Sequence, residues 1–111
     1  MAKYVIRFMP EYTAPSLWPV NRAAHADFGI PIHYDQVGLS DALTKKLEAF
    51  DHKIMGIIDW NDPAGKSPMT PEERKALYQE GKRLMQETIQ ELGEDFEVID
   101  DLDCIKGEEK R

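Results

Sequence analysis

Three histidines and one cysteine are the side chains of this chain best suited to metal or nucleophilic chemistry. His25, His33 and His52 do not fall at metal-ligand spacing, and Cys104 has no second cysteine. A reactive cysteine needs a base or a positive neighbour to stabilise its thiolate. Cys104 instead follows Asp100, Asp101 and Asp103, whose charges disfavour that form, so it reads as an ordinary thiol near a strand end. Paired carboxylates can run hydrolysis, but among 21 Asp and Glu residues pairs arise by chance, and nothing singles one out. There is no glycine-rich phosphate loop, no nucleophile elbow and no His-Glu-x-x-His. The expectation is a protein without catalytic residues, cofactor or metal.

Charge is more informative. The net charge is -7, and between Arg83 and Lys106 there is no basic residue, while Glu87, Glu91, Glu94, Asp95, Glu97, Asp100, Asp101 and Asp103 fall inside. Such a block repels phosphates, so nucleic acid and anionic membranes are poor partners; a basic protein is a good one. The plain alternative is a solvated, solubilising face. Trp18 lies between two prolines and is assigned to the core. Trp60, at the edge of Asp59-Trp60-Asn61-Asp62, is open between core and contact, because tryptophan anchors many interfaces.

The elements that must position these residues follow from periodicity. Lys3 to Phe8 alternates as a strand, with Tyr4, Ile6 and Phe8 on one face, and Pro10 ends it. From Glu11 to about Gly38 a long irregular stretch is expected, broken by Pro15, Pro19, Gly29, Pro31 and Gly38 and packed through its aromatics, with a short edge strand at Ile30 to Tyr34. Ser40 caps a helix with Leu43, Leu47, Phe50, Ile54 and Ile57 on one stripe and Lys45, Lys46, Glu48, Asp51 and Lys53 on the solvated side, ending near Asp59 or Trp60. Asn61 to Gly65 is a turn cluster. Thr70-Pro71-Glu72-Glu73 opens a second helix through a capping box, running to Leu92 with Gly93 as a left-handed C′ residue. Gly81 inside that helix marks a close approach to another element. Phe96 to Ile99 alternates as the last strand. The expected fold is α+β, ordered β-loop-α-α-β, a helical hairpin packed on a small sheet formed by the terminal strands. Residues 1–105 make one domain, and 106–111 a polar C-terminal tail.

The single cysteine excludes an intrachain disulfide, and no apolar stretch reaches the ~20 residues that span a bilayer. With no signal-peptide layout at Met1 to Phe8, a cytoplasmic protein is expected, as monomer or homodimer.

Several short segments together carry a resemblance. Phe8-Met9-Pro10-Glu11-Tyr12 and Leu17-Trp18 are followed by a helix opening at Leu39-Ser40 with Leu43, Leu47 and Phe50. A second helix carries Glu80-Gly81 and Leu84 and ends Glu91-Leu92-Gly93, before a strand with Val98. In this the chain is similar to the immunity proteins of polymorphic toxin and contact-dependent growth inhibition systems. The resemblance implies a non-catalytic cytoplasmic inhibitor that binds a cognate toxin domain, of basic nuclease type. The candidate contacts are Asp59, Trp60 and Asp62 in the inter-helix turn, with Glu94, Asp95, Glu97, Asp100 and Asp101 around the last strand. The alternatives are a small enzyme or ligand-binding protein with the aromatic loop as a lid, to be tested at Tyr12, His25, His33 and Tyr34, or a self-associating adaptor module.

Overall fold

The computed structural model describes residues 2–12, 14–62, 65 and 67–105, Cys104 by its backbone alone. The polar tail, the Cys104 side chain and the turn residues Pro63 and Ala64 lie outside the described residues.

The alternation at the N-terminus forms β1 (Tyr4–Phe8), which buries Ile6 and Phe8 completely. β1 is the middle strand of three. β2 (Leu17–Pro19) pairs with it antiparallel, Phe8 opposite Leu17. β3 (Phe96–Asp100) pairs with it parallel on the other side, Tyr4 opposite Phe96 and Phe8 opposite Asp100. The two terminal strands do share one sheet, as the α+β reading requires. Parallel neighbours need a long crossover, and here it carries the helices onto the face that holds Ile6 and Phe8.

The stretch expected to be irregular is largely folded. It holds β2, a helix α1 (Arg22–Phe28) and a 3₁₀ turn at Tyr34–Val37. The residues read as helix breakers are the punctuation of α1: the Asn21 side chain accepts from the Ala24 N–H, and Gly29 at φ +78° ends the helix. The expected edge strand at Ile30 to Tyr34 is reduced to one bridge, in which the Ile32 N–H donates to the Leu17 carbonyl at 2.9 Å. Tyr34 already belongs to the 3₁₀ turn, which cannot continue a ladder.

α2 (Asp41–Ile54) opens at Ser40, whose hydroxyl accepts from the Leu43 N–H. It stops before Asp59, because Gly56 follows and the chain tightens into a 3₁₀ turn at Met55–Ile57 that still buries Ile57. α3 (Pro71–Leu92) begins with the reciprocal Thr70 and Glu73 capping bonds at 2.8 and 3.1 Å. Gly93 ends it at φ +80° but with ψ -164°, so it is an extended positive-φ residue rather than a left-handed helical one. That ψ turns the chain straight into β3.

The expected close approach at Gly81 is present. A Cβ there would lie 2.9 Å from Phe50 Cζ of α2 and 3.0 Å from Leu102 Cδ2, which follows β3. Phe50 and Leu102 are both wholly buried and have no space to yield. Alanine in a helix gains about 1 kcal/mol over glycine, and overpacking a core costs about 1–3 kcal/mol. Gly81→Ala is therefore expected to lower stability by up to about 2 kcal/mol, read from the urea midpoint. A midpoint at or above that of the unsubstituted protein would show that Phe50 and Leu102 can give way.

Candidate partner-binding surface

Strand alternation divides the sheet. Ile6, Phe8 and Leu17 face the helices, while Val5, Arg7 and Trp18 lie on the other face beside Glu97 and Ile99. Trp18 therefore sits half-buried on the outer face rather than in the core, with its Nε1–H donating to the Met9 carbonyl at 2.9 Å. The carboxylates of β3 are not equivalent. Asp100 is ion-paired with Lys82 of α3, and Asp101 meets Arg7 at 3.4 Å. Glu97 and Glu94 are exposed and make no ion pair among the described residues. Asp95 is exposed in the turn before β3, where its carbonyl accepts from the Tyr4 N–H at 2.8 Å. These five residues follow β3 but do not share a face: Glu97 is on the outer one with Val5, Asp100 on the helix-bearing one with Phe8, and Asp100 and Asp101 are partly neutralised. Exposed pairs of this kind contribute about 0–1 kcal/mol.

Asp59, Trp60 and Asp62 form a separate group. The Asp59 carboxylate accepts from the Asn61 N–H at 3.0 Å, and its carbonyl accepts from the Asp62 N–H at 2.9 Å. Trp60 is 52% exposed. Its Nε1–H donates to the Met55 carbonyl at 2.8 Å, and its ring meets Tyr12 edge-on at 5.7 Å. The indole is held in one orientation with its polar end satisfied, leaving apolar area to solvent. Tyr12 belongs to the connection between β1 and β2, so this group adjoins the side of β1 away from β3.

One cluster has no counterpart in the sequence reading. Asp51, placed by periodicity on the solvated side of α2, is half-buried against the β1–β2 connection. Its Oδ1 accepts from Ser16 Oγ at 2.7 Å and its Oδ2 from Tyr34 Oη at 2.5 Å, and the Ser16 N–H donates to Tyr34 Oη at 2.9 Å. Burial pushes the Asp51 carboxyl above the usual carboxylate range; the two hydroxyl bonds oppose this and the Glu48 charge adds to it. Burial and the Asp51 charge likewise raise the Tyr34 phenol. Asp51 and Glu48 line two adjoining depressions of about 280 and 340 Å³ that share Pro15. His52 and Met55 lie at one end, His33 and Tyr34 at the other. Of the four residues named for a lidded pocket, His33 and Tyr34 are here, Tyr12 packs on Trp60, and His25 is exposed on α1. Among the described residues no group of three His, Cys, Asp or Glu side chains is placed to hold a metal, and no helix is long and apolar enough to cross a membrane.

A family model described as Serratia CdiI immunity protein-like matches residues 4–100, from the first residue of β1 to the last of β3. The chain belongs to this family, which supports an immunity role of the contact-dependent growth inhibition type. No curated protein matches the chain.

The Asp51 cluster gives the fold a pH signature. The folded state holds this carboxyl above 3.8, so it binds the proton more tightly than the unfolded chain does. The contribution of Asp51 to stability is then fullest below 3.8 and is lost as pH rises through the folded value. Urea unfolding of the unsubstituted protein and of Asp51→Asn, from about pH 3.5 to about pH 7.5, should show the former losing ground to the variant as pH rises. A pH-independent difference would mean that burial does not govern this carboxyl.

Proposed function

We propose that this chain binds and neutralises a cognate toxin domain in the cytoplasm of the cell it protects, by covering the toxin rather than by catalysis. The match to the immunity family over residues 4–100 carries this reading. The partner's chemistry is argued from charge. A nuclease must hold phosphate and so presents a basic surface, and a net charge of -7 makes this chain an electrostatic counterpart. Opposite potentials speed encounter, while aromatic anchors and desolvated charge pairs slow dissociation.

The contacts proposed are Trp60 with Asp59 and Asp62, and Glu94, Asp95, Glu97, Asp100 and Asp101 along the β3 edge. An exposed indole whose N–H is already bonded loses little on burial, which suits Trp60 to an anchoring role. Glu94 and Glu97, unpaired among the described residues, have no local ion pair to surrender on meeting a cation.

The test begins with whether a large toxin gene lies immediately upstream of this chain's gene, and goes on to binding of that toxin's C-terminal domain. A complex stable to gel filtration is expected, together with loss of the toxin's activity in the mixture. Reversing Glu94, Asp95 and Glu97 together to lysine should cut the association rate about tenfold and flatten its salt dependence. Trp60→Ala should act on dissociation instead, by about tenfold, with circular dichroism unchanged in both variants. Absence of any complex would overturn the reading, and salt-independent binding would overturn its basic-partner part.

A further inference from the structure

The depressions between α2 and the β1–β2 connection pose an electrostatic problem that the fold itself does not solve. Asp51 and Glu48 stand side by side on their wall, and the two charges disfavour one another. Among the described residues no Lys or Arg lines either depression; the bases there are His52 and His33, and Asp35 adds a further acid. Asp51 is served, among the described residues, only by the neutral hydroxyls of Ser16 and Tyr34. A carboxylate offers about four lone-pair directions, so each Asp51 oxygen keeps acceptor capacity that Ser16 and Tyr34 do not use. Glu48 is exposed and has no hydrogen bond or ion pair among the described residues, so no structural bond accounts for its place here. Apolar groups flank the acids: Ala14, Pro15 and Met55 line the same depression, and the Met55 carbonyl holds the exposed Trp60.

We infer that this cleft is the seat of an arginine or lysine side chain of the toxin domain, with Asp51 and Glu48 as its acceptors and Ala14, Pro15 and Met55 as the apolar wall beside them. The inference rests on the function proposed above and adds a site to it, on the side of β1 away from the β3 carboxylates. The complementarity is specific in kind. A guanidinium or ammonium brings a positive charge to a half-buried carboxylate that has no ion pair among the described residues, and it offsets two like charges held together. A small cation would supply the charge but not the apolar stem that Ala14, Pro15 and Met55 accommodate. The depressions, at about 280 and 340 Å³, have room for one long side chain and the chain turn that carries it. The Ser16 and Tyr34 bonds have a role in this arrangement: they fix the Asp51 carboxylate in advance, so that no side-chain ordering is left for the binding step.

The experiment measures affinity for the same upstream-encoded toxin domain by calorimetry or surface plasmon resonance. Glu48→Lys, an exposed substitution that leaves the Asp51 bonds in place, should weaken binding at least about thirtyfold. Asp41→Lys, with the same charge change at the far end of α2, should weaken it less than about threefold. Asp51→Asn should weaken it about tenfold while circular dichroism stays unchanged; if that variant fails to fold, Glu48→Lys and Glu48→Gln carry the test. An alanine scan of the toxin's Arg and Lys residues should then find one whose effect shrinks about tenfold in the Glu48→Gln background. Binding unaffected by Glu48→Lys, or weakened equally by Asp41→Lys, would overturn the cleft while leaving the immunity reading intact. Failure of the unsubstituted protein to bind the toxin would overturn that reading, and the cleft with it.

Discussion

The contact of Phe50 and Leu102 with the bare backbone of Gly81 is the constraint on which the architecture depends. It sets the distance between α2 and α3 at their crossing. Because Leu102 follows β3 by only two residues, the same contact also fixes how far β3 can travel along α3 before the chain folds back. The register of β3 on β1, with Ile6 opposite Val98, is therefore locked from both sides: by the ladder itself and by a side chain seated at Gly81. Phe8 then meets Phe50 at 6.4 Å between ring centres, which joins the sheet to the same point. Three layers of contact converge on one missing methyl group.

What could be read from the residues alone was what is written locally. The Thr70–Glu73 capping box, the apolar stripe of α2 and the alternation of β1 each arise from spacings of a few residues, and each is where periodicity puts it. α1 was hidden because seven residues are too few to establish a helical period, and its cap Asn21 and terminal Gly29 looked like interruptions. Trp18 was misplaced for a related reason. In a three-residue strand the alternation that sends Leu17 inward and Trp18 outward has no length in which to show. The Asp51 cluster was beyond reach for a different cause. Its hydroxyl partners lie 35 and 17 residues away, and on the helix itself Asp51 stands among Glu48, His52 and Lys53 like any solvated residue.

The charges show the same division between sequence and space. Eight acids between Arg83 and Lys106 look like one block in sequence. In the fold Glu87 pairs with Lys46, Glu91 accepts from the Ser40 backbone and hydroxyl, and Asp100 and Asp101 meet Lys82 and Arg7. Much of the block is therefore spent on holding α2, α3 and β3 to their neighbours. Among the described residues Glu94 and Glu97 near β3 and Glu48 on α2 make no such bond. Acidity read along the sequence does not by itself locate a binding surface.

The parallel ladder between β1 and β3 also has a consequence in time. Tyr4 leaves the ribosome long before its partner Phe96. Until then β1 has only the three-residue β2 beside it, a pairing too short to be stable alone. The high sequence separation of the β1–β3 contacts makes their closure the slow, entropy-limited event of folding. Truncation anywhere before β3 removes the parallel partner of the central strand and leaves β1 with β2 alone.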